Sequence, residues 1–97
     1  MANKMRPIHP GEQLKDELDE IGMSGAAFAT AISVPANRIT EILRQKRGIT
    51  ADTALRLARY FGTTADYWMN LQKAYELRLA EQTIGTTINK TVKPRAA

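Results

Sequence analysis

Apolar residues in this 97-residue chain recur in five bursts at helical spacing, separated by turn-forming residues. In the first, Leu14, Leu18 and Ile21 fall on one stripe, which predicts a helix from Pro10 to Ile21. Pro10 suits a first turn, where the missing N–H costs nothing, and Gly22 is a natural stop. A second helix begins at Ser24, a residue that caps helix N-termini, and buries Phe28, Ala29 and Ile32. Pro35 opens a third in its first turn, running to about Arg44 with Ile39, Ile42 and Leu43 inward. Thr50 caps the fourth, and Asp52 lies in its first turn, where the helix dipole favours an acid. Ala54, Leu57, Ala58 and Phe61 then repeat at i, i+3, i+4 and i+7 before Gly62. Thr63 or Thr64 caps the fifth, which carries Trp68, Leu71, Tyr75 and Leu79 to about Glu81, with Trp68 expected in the core. The fold class expected is therefore all-α, a domain of five helices over residues 10–81 preceded by an N-terminal arm over residues 1–9.

Residues 82–97 read differently. From Ile84 to Val92 the even positions are Ile, Thr, Ile, Lys and Val, an alternation with β-branched residues that carries a weak strand signal. One strand alone is not stable. The segment is thus expected as a C-terminal tail, partly disordered or paired with a partner edge or a second copy of the chain.

The junction of the second and third bursts is the most specific pattern. Ala29 precedes Ser33 by one helical turn, and a small residue there lets the next helix cross closely. Val34 fills the corner and Ile39 faces back into the core. Two short helices joined this way form a helix-turn-helix, the unit that lays its second helix in the DNA major groove.

Charge agrees with that reading. The chain has a formal net charge of +4, unevenly distributed. Residues 12 to 20 hold Glu12, Asp16, Glu17, Asp19 and Glu20 against Lys15 alone, whereas residues 38 to 59 hold six arginines and lysines against Glu41 and Asp52. Cations beside the turn point to phosphate. With no cysteine there is neither a disulfide nor a thiolate metal site. No apolar run approaches the roughly 20 residues of a membrane span. The first residues, to Pro7, lack the apolar segment of a secretory signal, so a cytoplasmic location is expected. His9, the only histidine, has no partner at ligand spacing and is expected in surface packing or at the helix entry. Without a phosphate-cradling glycine loop or an acid/base pair, no enzyme activity, metal or cofactor is expected.

With Ile39, Ile42 and Leu43 inward, helix 3 turns Ala36, Asn37, Thr40, Glu41 and Arg44 outward, with Arg38 at the flank. Asn37 suits bidentate pairing with adenine, and Ala36 or the Thr40 methyl suits a thymine methyl. Arg38 suits guanine or phosphate; Glu41 accepts only, so it reads cytosine or faces away. Arg44, Lys46 and Arg47, with Ser24 and Thr50 at helix N-termini, form the phosphate set. One such domain reads few base pairs, so specificity implies a homodimer on a palindromic operator in double-stranded DNA, half-sites about 10 bp or roughly 34 Å apart. Tyr67, Leu71 and Tyr75 are the interface candidates.

The chain resembles the HigA family of antitoxins, phage-repressor-like helix-turn-helix proteins also known as virulence-associated protein I. Three blocks carry the resemblance: Arg6-Pro7-Ile8-His9-Pro10-Gly11-Glu12, then Arg47-Gly48-Ile49-Thr50-Ala51-Asp52-Thr53-Ala54-Leu55-Arg56-Leu57-Ala58-Arg59-Tyr60-Phe61-Gly62-Thr63, then Trp68-Met69-Asn70-Leu71-Gln72-Lys73-Ala74-Tyr75-Glu76-Leu77. It implies a homodimer that represses its own operon and inhibits a small toxin that cleaves mRNA on the ribosome. The acidic residues Glu12, Asp16, Glu17, Asp19 and Glu20 are the expected contact for a basic ribosome-dependent RNase toxin, by charge complementarity. Gly25, Ser33 and the pair Arg44-Gln45 depart from the residues common in such domains; a turn requiring positive φ at Gln45 would be strained. A free-standing transcriptional regulator, or an interaction module that has lost DNA binding, are the alternative readings.

Overall fold

Every helix but one starts where a side chain takes up free N–H groups. The computed structural model describes residues 6–96; residues 1–5 of the arm, like residue 97, lie outside the described residues. It contains α1 (Pro10–Ile21), α2 (Gly25–Ala31), α3 (Ala36–Leu43), α4 (Ala51–Phe61) and α5 (Ala65–Thr91), with no strand among the described residues. The hydroxyls of Ser24, Thr50 and Thr64 accept from the backbone N–H groups of Ala27, Thr53 and Tyr67. Thr63, the alternative cap for α5, instead accepts from the Trp68 indole N–H at 3.0 Å. Pro35 occupies the N-cap of α3, one position before the first turn expected for it. At α1 the cap is His9: its Nδ1 accepts from Gly11 N–H at 2.9 Å, and Glu12 reaches back to the His9 N–H.

The first four helices are closed by left-handed residues. Gly22 and Gly62 have φ of 68° and 74°, as glycine allows. The other two such residues are not glycines: Ser33 at φ 60° and Gln45 at φ 63°. Both close a double-bonded C-terminal turn. Ser33 and Val34 donate to the carbonyls of Thr30 and Ala29 (3.2 and 3.0 Å), and Gln45 and Lys46 to those of Ile42 and Glu41 (2.9 and 2.8 Å). Helix α3 is therefore bracketed by two residues that carry left-handed strain.

Leu14, Leu18, Phe28, Ile39, Ile42, Leu57 and Trp68 form the centre of one core, with Val34 sealing the α2–α3 corner. Phe61 bridges Phe28 and Trp68, ring centroids 5.4 and 5.9 Å apart. Ile21, assigned to the buried stripe by spacing, is 48% exposed because it lies in the last turn of α1. Gly11 permits the closest approach: a β-carbon there would stand 2.0 Å from the Ile42 carbonyl oxygen. That contact seats the entry of α1 on the end of α3.

Helix α5 differs most from expectation. It continues ten residues past Glu81, through most of the segment read as a tail with strand character. Its first half packs on α4 and α1; beyond Ala80 nearly every residue is exposed, and the molecule reaches 52 Å in length against 23 × 21 Å across. Extending a formed helix is far easier than starting one. The Thr83 and Thr91 hydroxyls are satisfied within the helix, donating to the carbonyls of Leu79 and Thr87 at 3.0 and 2.8 Å. Only near Pro94, which disfavours helix at the residue before it, does the chain leave the helix.

Gln45→Gly should stabilise the fold by about 0.5–1 kcal/mol, the left-handed penalty of roughly 1–2 kcal/mol less the extra chain entropy that a glycine loses. Urea unfolding should show a raised midpoint with an unchanged slope; a lowered midpoint would contradict the strain.

Candidate nucleic-acid interface

Sinking Ile39 and Ile42 forces the opposite side of α3 outward. Asn37, Glu41 and Arg44 repeat at i, i+4 and i+7 on that side, with Ala36 and Thr40 beside them. Ala36, Asn37 and Arg44 are exposed, Thr40 and Glu41 half-buried. The Thr40 hydroxyl donates back to the Asn37 carbonyl at 3.4 Å, and its methyl lies on the side of Gly25. Gly25 lies against this helix: its missing β-carbon would meet the Leu43 side chain at 2.9 Å and Thr40 at 3.7 Å.

Arg38 sits at the flank. Its guanidinium pairs with Asp52, which also accepts from Arg56 Nε at 3.0 Å. Arg56 in turn donates to the carbonyls of Ile32 and Ser33 at 2.9 and 3.2 Å. This chain of charges joins the start of α3, the first turn of α4 and the α2–α3 corner. Arg56 and then Arg38 hold the Asp52 carboxyl below its ordinary pKa. Of the residues assigned to base reading, Arg38 is thus already engaged within the protein.

The phosphate set comes together behind α3. Arg44, Lys46 and Arg47 are exposed on the connection to α4, and Thr50 follows at the α4 N-cap; Ser24 caps α2. The back of this loop is fixed. Gln72 of α5, nearly buried, accepts from the Ile49 N–H at 2.7 Å, and Gly48 lies so close to the Gln72 amide that a β-carbon would meet it at 2.8 Å. His9, 3% exposed, bonds to the Arg47 backbone and meets the Tyr75 ring edge-on at 4.8 Å. Sequence reasoning missed Gln72. The signal was present: a polar residue at i+4 from Trp68 on an otherwise apolar face.

Glu41, too, is engaged within the protein. One carboxylate oxygen accepts from Arg47 Nε at 2.8 Å and Nη2 at 2.7 Å. Both side chains are about two-fifths exposed. An exposed pair of this kind contributes at most about 1 kcal/mol, less than the roughly 1–3 kcal/mol of one good base contact.

The acidic residues of α1 are partly neutralised. Glu12 accepts from both terminal nitrogens of Arg6 at 2.8 and 2.7 Å, Asp19 pairs with Lys15 at 2.9 Å, and Glu17 accepts from Gln13 at 3.0 Å. Asp16 and Glu20 point to solvent. Of the dimer candidates, Tyr67 is 40% exposed, whereas Leu71 packs against the core and Tyr75 against His9. Other uncovered apolar side chains lie further along α5, among them Leu77, Ile84 and Ile88, at 58%, 49% and 44% exposure. Among the described residues no group of His, Cys, Asp and Glu is arranged to hold a metal, and no helix is long and apolar enough to cross a membrane.

Comparison with known proteins agrees with this geometry. A family described as helix-turn-helix matches residues 14–68. Virulence-associated protein I of Dichelobacter nodosus is 57% identical over 81 residues, 82% of this chain and 75% of the relative. An addiction module antidote protein of the HigA family from Coxiella burnetii superposes with a TM-score of 0.92 at 51% identity, over 94% of this chain and 100% of that one. The Pseudomonas aeruginosa antitoxin HigA, solved with the higBA promoter, gives 0.91 at 49% identity over 94% and 100%. The chain belongs to the HigA family of helix-turn-helix antitoxins.

His9 makes the fold pH-sensitive. Burial lowers its pKa, and the Glu12 charge and the Arg47 backbone bond offset this only in part. The unfolded chain therefore takes up the proton first, near pH 6.5. Stability is complete above that pH and falls as pH drops below it. Urea midpoints at about pH 7.5 and 5.5, on either side of the free histidine value, should differ in the native protein and differ less in His9→Asn, which keeps a capping acceptor but does not titrate. An equal drop in both would assign the effect elsewhere.

Proposed function

We propose that this protein is a DNA-binding antitoxin that represses its own operon and neutralises a small basic toxin that cleaves mRNA. The observation that carries the reading is the exposed Asn37–Glu41–Arg44 face of an anchored α3, beside a cationic loop whose back is pinned by His9 and Gln72. The relative solved with its promoter supports it. In this reading Asn37 pairs with adenine, while Ala36 and the Thr40 methyl pack on thymine methyls. Arg38 holds the start of α3 and reaches guanine or phosphate when Asp52 releases it. Arg44, Lys46 and Arg47, with the α2 and α4 entries at Ser24 and Thr50, set register on phosphates.

The protein acts as a homodimer. Leu77, Ile84 and Ile88 lie at i, i+7 and i+11, one stripe on the projecting part of α5. A second copy is the occupant that fits, because a palindromic operator needs two α3 helices related by a two-fold axis. The basic toxin meets the acidic α1 surface, where Asp16 and Glu20 are exposed and Glu12, Glu17 and Asp19 add to the field.

Binding to the duplex upstream of its own gene, followed by fluorescence anisotropy, tests the interface. Lys46→Ala should weaken binding to that duplex and to unrelated DNA alike, and lower the salt slope by about one unit. Asn37→Ala should instead cost roughly 1–3 kcal/mol on the upstream duplex alone and leave the slope unchanged. Exchanged behaviour would reverse the two roles. For the dimer, Ile84→Lys with Ile88→Lys should give a monomer by light scattering at protein concentrations where the native chain is dimeric; a dimer in both would place the interface elsewhere.

A further inference from the structure

We propose that the Glu41–Arg47 pair is a latch, one that makes a phosphate contact conditional on the base beneath α3. The inference rests on the DNA-binding reading above and adds a specificity-determining role for Glu41. Glu41 is the single acid on the outward face of α3, one turn from Asn37 and three residues from Arg44. Its carboxylate holds Arg47 by two nitrogens on one oxygen, while its own carbonyl accepts from Lys46 N–H at 2.8 Å. One residue thus closes the turn that carries the cations and occupies one of them.

The chemistry of exchange follows from donors and acceptors. A phosphate presents only acceptors, and so does Glu41. If Arg47 turns to a phosphate, Glu41 is left beside a polyanion without a donor. A base edge can replace the lost donor. In the major groove the N4 amino group of cytosine has an acceptor on one side only, the O6 of its paired guanine, whereas the amino group of adenine lies between two acceptors, its own N7 and the thymine O4, which repel a carboxylate. Over cytosine, Glu41 exchanges Arg47 for the N4 amino group, and Arg47 moves to a phosphate. Over other bases the pair stays closed and the protein forgoes that contact. Glu41 therefore lowers affinity for unrelated DNA more than for a site that carries cytosine beneath it.

Salt titrations between about 50 and 200 mM on alternating poly(dA-dT), alternating poly(dG-dC) and the duplex upstream of the gene test this. The proteins are the native chain, Glu41→Gln, Arg47→Ala and the double variant. Glu41→Gln should bind poly(dA-dT) roughly three- to tenfold more tightly, with a salt slope steeper by about one unit, the signature of one added phosphate contact. The gain should be smaller on poly(dG-dC), where the native pair can already open, and should vanish when Arg47 is alanine. If Glu41→Gln leaves affinity and slope on poly(dA-dT) unchanged while the native chain binds the upstream duplex, the latch is wrong and the DNA-binding reading stands. If the gain survives in the double variant, Glu41 acts by repulsion alone and the latch is again wrong. If the native chain binds none of the three duplexes, the DNA-binding reading fails and the latch with it.

Discussion

Everything at the proposed interface depends on the burial of Ile39 and Ile42. Helix α3 has eight residues, too few to be stable by itself. It exists because its apolar side is sunk between α1 and α2, and because Gly11 lets the α1 entry sit directly on the Ile42 carbonyl. Once that side is committed, the helix cannot rotate without exposing an isoleucine. The outward placement of Asn37, Glu41 and Arg44 is a consequence of packing on the other side.

Apolar burial sets the rotation of α3 but leaves its ends loose, and polar groups tie those ends down. At the start, Arg38, Asp52 and Arg56 link three segments through charge-assisted bonds. At the finish, Gln72 and His9 grip the backbone of the loop that follows, leaving its cations outside. Gln72 and His9 are buried with partners, as buried polar groups must be, whereas the Arg38–Asp52–Arg56 pairs are partly exposed. The two turns flanking α3 adopt left-handed backbone at Ser33 and Gln45, positions where glycine would be unstrained. The bonds closing each turn offset that cost, and α3 is held at both ends.

The distal half of α5 follows another logic. It contributes nothing to the core of its own chain, yet carries Leu77, Ile84 and Ile88 in line. A projecting helix with such a stripe leaves apolar surface uncovered in the single chain. Leu71 and Tyr75 serve the fold of one chain, whereas Leu77, Ile84 and Ile88 serve none of its interior.

Helices α1 to α4, the caps at Ser24 and Thr50, the Val34 corner and the outward face of α3 were all legible in the sequence. Each rests on local rules: a 3.6-residue period, a capping hydroxyl, a stop at glycine. The end of α5 was not. Ile84, Ile88 and Val92 stand four apart, and a spacing of four is both an even number, which suits a strand, and about one helical turn. Nor could the sequence reveal that Arg47 is held by Glu41, that Arg38 is held by Asp52, or that Gln72 and His9 clasp the loop from behind. Those pairings join residues on different elements, and side chains far apart in the chain meet only once packing has set the angles between helices. Short-range periodicity determined the elements and which side of each is wet; the long-range arrangement alone decided which charges are free and which are already spent.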